Sequence, residues 1–219
     1  MSFIENLINV VLHIDKYLNI IIQNYGLWTY GIIFLIIFCE TGLVITPFLP
    51  GDSIIFATGA LASEGMLEVF TLYIIFFLAA VLGDTANYFI GKKIGTGILE
   101  KENIRFVNKE HLDKAHRFYE KHGSMAIVLG RFIPIIRTFV PFIAGIGEMS
   151  YSKFITYNVL GGFLWVSLFL WGGYFFGSLP FIKRNFSYVV IAIIIISLIP
   201  AVVTFVRERK KDDTVDAEI

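Results

Sequence analysis

Apolar positions along the chain fall into blocks of two lengths, and few polar residues interrupt them. Over residues 3–25, Leu7, Val10, Val11, Ile14, Leu18, Ile21 and Ile22 recur at helical spacing among His13, Asp15, Lys16, Asn19, Gln23 and Asn24. That pattern predicts an amphipathic helix lying on a membrane surface, with a weak first span as the alternative. Residues 69–90, 154–176 and 186–206 are long apolar runs. At about 1.5 Å per residue, each is long enough to cross a hydrocarbon core of about 30 Å.

Two stretches fit neither class. Residues 27–39 are apolar, Glu40 follows, Pro47 and Pro50 break the chain, and residues 53–63 are apolar again. An arm of about eleven residues covers only about 16 Å, half of a hydrocarbon core. Half-length arms around a Pro/Gly-rich tip predict a re-entrant hairpin over 27–63, which needs protein or a wet cavity around its irregular backbone. Residues 124–147 repeat the design: apolar arms flank Arg131-Phe132-Ile133-Pro134-Ile135-Ile136-Arg137, and Pro141 and Gly145 follow. Between the 69–90 span and this second hairpin runs a polar segment, 91–123. Within it, Asn108 as N-cap, Glu110 in the first turn, Lys121 in the last and Gly123 as terminator predict a surface helix.

The two halves read as one unit used twice. Each has a Gly-terminated lead-in (Tyr25-Gly26, His122-Gly123), a broken hairpin, and a span ending in an aromatic–glycine cluster. A hairpin makes no net crossing and a span makes one, so the second unit starts on the opposite side of the membrane. The expected fold is therefore an all-α polytopic membrane protein with an inverted repeat, plus a further C-terminal transmembrane helix. Residues 1–206 form a single membrane domain and 207–219 a charged cytoplasmic tail.

Composition agrees. The 219 residues are 56 % hydrophobic and 16 % charged, with a mean hydropathy of +0.73. Soluble domains carry about 25 % charged residues, and a chain of this length cannot hide so much apolar surface in one core. The 22 Phe and 10 Tyr exclude disorder, and the single cysteine, Cys39, excludes a disulfide scaffold. Basic and acidic residues balance at 18 each, so nothing draws the chain to nucleic acid. Basic residues concentrate in 91–123 and from Arg207 to Lys211, which places both segments in the cytoplasm. No cleavable signal is visible at the N-terminus.

Ionisable groups at membrane depth cost at least about 2.5–3.5 kcal/mol each and mark function. Glu40, Asp52, Asp84, Arg131 and Arg137 qualify. With facing hairpins, the acids of the first pair with the arginines of the second. Arg131 and Arg137 present fork donors suited to phosphate or carboxylate, and buried Glu40 and Asp52 are candidates to exchange protons. The structural alternative is that these are only stabilising ion pairs. Asp84 and Asn87 share a polar, small-residue face with Tyr88, Gly91 and Gly95 that suits close packing, with a place in the proton path as Asp84's alternative. Asn158, Gly161, Gly162 and Trp165 form the equivalent face of the second unit. No Ser-His-Asp set, phosphate-binding loop or metal-spaced His/Cys cluster is present, so neither enzyme chemistry, a metal nor a cofactor is expected.

Particular runs of residues resemble those of DedA family membrane proteins, the bacterial branch of the SNARE-associated or VTT domain group. They are Phe38-Cys39-Glu40-Thr41-Gly42, Thr46-Pro47-Phe48-Leu49-Pro50-Gly51-Asp52-Ser53, Gly83-Asp84-x-x-Asn87-Tyr88-x-x-Gly91 and Phe118-Tyr119-Glu120-Lys121-His122-Gly123. Arg131-Phe132-x-Pro134-x-x-Arg137-x-x-x-Pro141-x-x-Ala144-Gly145, Met149-Ser150-Tyr151, Asn158 and Trp165 follow in order. The resemblance spans about residues 5–207 and implies a role in moving lipids between leaflets. Undecaprenyl phosphate recycling comes first and phosphatidylethanolamine second, driven by the proton-motive force in a bacterial cytoplasmic membrane and supporting envelope integrity. It maps the family's embedded acids onto Glu40 and Asp52 and its arginines onto Arg131 and Arg137. Pro50, Gly51, Pro134, Pro141, Gly145, Asp84, Asn87 and Asn158 are read as supporting positions. The expected partners are a membrane lipid, protons and a second copy of the chain. The rivals are a passive lipid scramblase and a proton-coupled small-ion antiporter.

Overall fold

The computed structural model describes residues 14–43, 51–98, 109–147, 149–177, 179–186, 188, 189 and 191–193, all in helices or short connections with no strand among them. The first hairpin's tip with Pro47 and Pro50, the N-cap Asn108, the first part of the 3–25 helix, most of the 186–206 span and the 207–219 tail lie outside these residues. The chain runs through α1 (Ile14–Tyr25), α2 (Trp28–Gly42), α3 (Gly51–Ser63), α4 (Val69–Ile98) and α5 (Lys109–His122). A 3₁₀ turn (Gly123–Met125) leads to α6 (Ala126–Gly130), α7 (Pro134–Ile146), α8 (Tyr151–Phe176) and α9 (Pro180–Arg184).

Among the described residues, two helices are long and apolar enough to cross a membrane. The qualifying stretch of α4, Val69–Lys93, has 25 residues and α8 has 26, which is about 38 Å of helix in each case. Helix α4 continues past the sequence-predicted boundary at 90, because Gly91, Lys92 and Lys93 interrupt hydrophobicity without interrupting i→i−4 bonding. Helix α8 begins three residues earlier than the 154–176 pattern, directly after the extended Ser150. The arms between are short: α2 has 15 residues, α3 has 13 and α7 has 13, which is about 20 Å each. The second arm breaks where the sequence dictates. Ile133 is extended, as the residue before a proline tends to be, and Pro134 occupies the first helical position, where its missing N–H costs nothing.

One short arm of each half packs on the span of the other, α3 along α8 and α7 along α4, while α2 packs on α4, the span of its own half. Both crossings use the same device. On α3, Gly59 faces the backbone of Leu170 and Tyr174, while Gly173 of α8 faces the backbone of Phe56. On α7, Gly145 faces the backbone of Tyr88 and Lys92, while Gly91 of α4 faces the backbone of Phe142. A Cβ at any of the four would overlap main-chain atoms, so the close approach requires glycine. Each half is also entered through a left-handed glycine, Gly26 at φ 52° and Gly123 at φ 56°. Helix α3 is buried on every side from Gly51 to Ala62 and forms the centre of one apolar core with Ile37, Phe76, Trp165 and Leu170. A second core gathers Tyr88, Ile127, Phe142 and Phe154 where α4, α7 and α8 meet, and Ala115, Phe118 and Tyr119 of α5 close it.

Candidate functional site

All five ionisable residues singled out by the apolar pattern are buried, Glu40 completely. They form two centres, each built on one arginine. Arg137, in the second turn of α7, spreads its fork over two acids instead of clasping one. Its Nη1 donates to Asp52 Oδ1 at 2.7 Å, and its Nη2 donates to Glu40 Oε1. Glu40 stands near the end of α2 and Asp52 in the first turn of α3, so the two arms of the first half converge on one cation of the second. Glu40 Oε1 also accepts the N–H of Gly51 at 3.1 Å. A side chain at Gly51 would occupy the place of the Glu40 carboxylate, so glycine there lets the acid reach the start of α3. Asp52 Oδ1 accepts a second donor too, Trp165 Nε1 at 2.9 Å, and the Trp165 ring lies 5.7 Å from the Arg137 guanidinium carbon. With both acids ionised, this centre carries one negative charge in excess.

Arg131 sits in the break between α6 and α7. Its Nη2 lies 2.6 Å from Asp84 Oδ2 of α4, donates to Asn158 Oδ1 of α8, and reaches the Ala80 carbonyl at 3.4 Å. The Asn158 amide completes the joint by donating to the Val81 carbonyl at 3.0 Å and to Thr85 Oγ1 at 3.4 Å. One charge meets one charge here, and the two spans are tied through the second half's broken tip.

Asn87 links the halves in a third way. Its Nδ2 donates to the Thr41 carbonyl at 3.3 Å and to the Thr138 carbonyl at 2.7 Å. Both acceptors lie at or beside weak points of helical bonding. Thr41 is in the last turn of α2, whose carbonyls lack intrahelical donors. Thr138 is next to Arg137, the residue whose carbonyl loses its helical donor at Pro141. Five buried side-chain atoms find no hydrogen-bond partner among the described residues: Glu40 Oε2, Ser53 Oγ, Asn87 Oδ1, Arg131 Nε and Arg137 Nε. All belong to these residues or to a neighbour of Asp52, so unspent polar capacity concentrates at the charged centres.

The structure thus joins Glu40, Asp52 and Arg137 as the facing-hairpin argument expects. Arg131 departs from it, taking its acid from the span (Asp84) instead of the first hairpin. Pro134 and Pro141 shape α7, Gly51 seats Glu40, Gly145 carries a crossing, and Asn87 and Asn158 bridge elements; Pro50 lies outside the described residues. Trp165, read from sequence as a packing residue, is in the Arg137 centre. A buried indole N–H in an apolar span needs an acceptor, and that was the signal available. Among the described residues, no group of His, Cys, Asp and Glu is arranged to hold a metal ion.

Outside the spans, Glu68 precedes α4 and accepts the N–H of Phe70 at 3.0 Å and that of Thr71. Hydrogen bonds from the Thr71 side chain and backbone, then from the Phe70 backbone, hold its carboxyl below the usual value. The Glu68 N–H in turn donates to Tyr30 Oη at 2.9 Å, fixing the start of α4 to α2.

The VTT domain family matches residues 49–175. The chain is 47 % identical over 212 residues to Protein DedA of Escherichia coli K12, covering 96 % of this chain and 97 % of the relative. It is 43 % identical over 178 residues to an uncharacterized membrane protein of Mycobacterium tuberculosis H37Rv, covering 80 % and 78 %. It is 33 % identical over 156 residues to inner membrane protein YghB of Escherichia coli K12, covering 71 % of each. No solved structure matches the chain at a significant level.

Proposed function

Because the chain belongs to the DedA family of VTT-domain membrane proteins, we propose that it is a proton-motive-force-dependent flippase of a phosphate-bearing membrane lipid. Undecaprenyl phosphate is the favoured substrate, with phosphatidylethanolamine as the alternative. The observation that carries this reading is the Arg137 centre: one guanidinium, two acids and an excess negative charge, all withdrawn from solvent. A buried excess charge is costly, and a proton on Glu40 or Asp52 removes it. The protonated acid then releases one arm of the Arg137 fork, and a phosphate takes that arm. When the proton leaves on the other side, the restored carboxylate displaces the phosphate. Arg131 acts differently, since its terminal nitrogen is spent on Asp84, Asn158 and Ala80. It holds the spans in register around the moving tip.

The inverted repeat belongs to the same proposal. Its support is the reciprocal packing of one arm from each half, α3 and α7, on the other half's span through matched Phe-x-x-Gly steps, Phe56 to Gly59 and Phe142 to Gly145. Alternating access is then a rocking of the two halves about these crossings, with α2–α3 and α6–α7 as re-entrant hairpins. The basic 91–123 segment and the C-terminus face the cytoplasm. This is a carrier and not an enzyme.

Reconstitution tests it. Purified protein in liposomes, given labelled polyprenyl phosphate and an imposed pH gradient, is expected to enrich the lipid in one leaflet, read by headgroup protection. Identical flux with and without the gradient, and no net enrichment, would make the protein a passive scramblase. Proton flux without lipid movement would make it an ion antiporter.

A further inference from the structure

Trp165 is almost fully buried in α8, yet its indole N–H does not serve its own helix. It reaches Asp52 Oδ1, the oxygen that Arg137 Nη1 already holds. On the other side of the fork, Gly51 N and Arg137 Nη2 likewise share Glu40 Oε1. Four donors therefore converge on two oxygens, one from each acid. Gly51 opens α3, a helix of 13 residues, so its N–H lies at the positive end of a helix dipole. Beyond the four, buried Arg137 Nε has no acceptor among the described residues. The two carboxylates occupy donors that suit an anion richer in oxygen than either acid.

We propose that the Trp165 indole N–H is a headgroup-binding donor that Asp52 occupies in the anion-free state and a phosphate oxygen takes when Asp52 is displaced, so that the site selects terminal phosphate monoesters. The inference rests on the lipid-phosphate reading above and assigns the class of headgroup within it. A monoester offers three terminal oxygens to the donor set, whereas a phosphodiester offers two and leaves donors unspent. Unspent buried donors are penalised, and that penalty is the selectivity. The Trp165 ring beside the guanidinium keeps Arg137 in place while its fork changes partners.

The test uses full-length protein in nanodiscs and three probes: geranyl phosphate, a short-chain phosphatidylethanolamine and geraniol. Replacing Trp28, which is exposed, and Trp171, which packs in a separate aromatic group, by Phe leaves Trp165 as the reporter. Its emission is expected to change saturably with geranyl phosphate, more weakly with the diester and not with geraniol. In an otherwise native chain, Trp165→Phe keeps a ring beside Arg137 but removes the donor. Calorimetry is expected to show affinity for geranyl phosphate falling about tenfold or more, with a smaller loss for the diester. Equal affinity in Trp165→Phe, or Trp165 emission unmoved at saturating geranyl phosphate, overturns the assignment and leaves the lipid-phosphate reading standing. Wild-type protein that binds neither phosphate probe overturns that reading itself. If Trp165→Phe does not fold, the emission titration decides alone.

Discussion

The Arg137 and Arg131 centres use the same residue types at similar burial, yet they are balanced differently. Arg131 meets one acid and fills its remaining reach with an amide and a carbonyl from the two spans. Arg137 meets two acids, one from each arm of the first half, and those acids hold two further donors. A balanced buried pair is at its best as it stands, and any change of partner or protonation leaves a bare charge. A pair with one acid too many has a second state close by, reached by adding a proton. On the mechanism proposed above, the same chemistry makes a joint in one place and a switch in the other, and stoichiometry is what separates them.

Removing the arginine of the switch breaks the comparison most severely. Arg137→Ala leaves two buried carboxylates without a counter-charge and is expected to cost about 3–5 kcal/mol, abolishing both folded yield and transport. Glu40→Gln is the sharper instrument. It removes the excess charge while keeping the acceptor, so thermal unfolding in detergent should show a midpoint at or above wild type while gradient-driven lipid enrichment disappears. Loss of stability in parallel with loss of transport would return Glu40 to a purely structural part.

At the joint, Asp84→Asn leaves the Arg131 guanidinium uncompensated, also at about 3–5 kcal/mol, read as a lowered unfolding midpoint. The combined Asp84→Leu and Arg131→Met exchange is expected to recover much of that midpoint and measurable transport, because a balanced buried pair is replaceable by apolar volume. The corresponding exchange at Glu40 and Arg137 should recover no transport. Equal failure at both centres would erase the distinction. The crossings come next: Gly91→Ala and Gly173→Ala push a methyl against the backbone of Phe142 and Phe56. Each is expected to cost about 1–3 kcal/mol by overpacking. Matching losses from the two sites in unfolding assays would mark the crossings as equivalent.

The smallest effect is at Glu68, outside the charged centres. Its folded carboxyl is held below the ordinary 4.5, so its contribution is complete above that value and is lost as pH falls through the depressed one. Wild type and Glu68→Gln should therefore differ slightly in midpoint at neutral pH and converge in strong acid.

Much of this was legible in the chain because a membrane makes polarity expensive. Half-length arms, long spans and five ionisable residues stand out from an apolar background, and α2, α3, α4, α7 and α8 follow them. The partnerships were less legible. Arg131 and Arg137 are six positions apart on one motif, and nothing in their spacing says that a chain break at Ile133 sends one to the span and the other to the first half. Trp165 was hidden by its type, since tryptophan in an apolar helix reads as packing unless its N–H is followed to an acceptor. The glycine crossings were half visible: Gly91 belongs to a small-residue face and Gly173 to the aromatic–glycine cluster that ends a span, but which backbone each meets depends on arms exchanged between halves.

That exchange also fixes an order of assembly. Glu40 is synthesised 97 residues before Arg137, and Asp52 85 residues before it. At about 5–20 residues per second, the acids wait roughly 4–20 s for their cation. Through that interval the nascent first half holds two carboxylates that the lipid rejects and no arginine of its own to offset them. Its arms must stay near the interface, or in the shelter of the insertion machinery, until the second half arrives. A chain that stops before Arg137 keeps both carboxylates without that cation, so whole chains and abortive fragments differ in the charge they would have to bury.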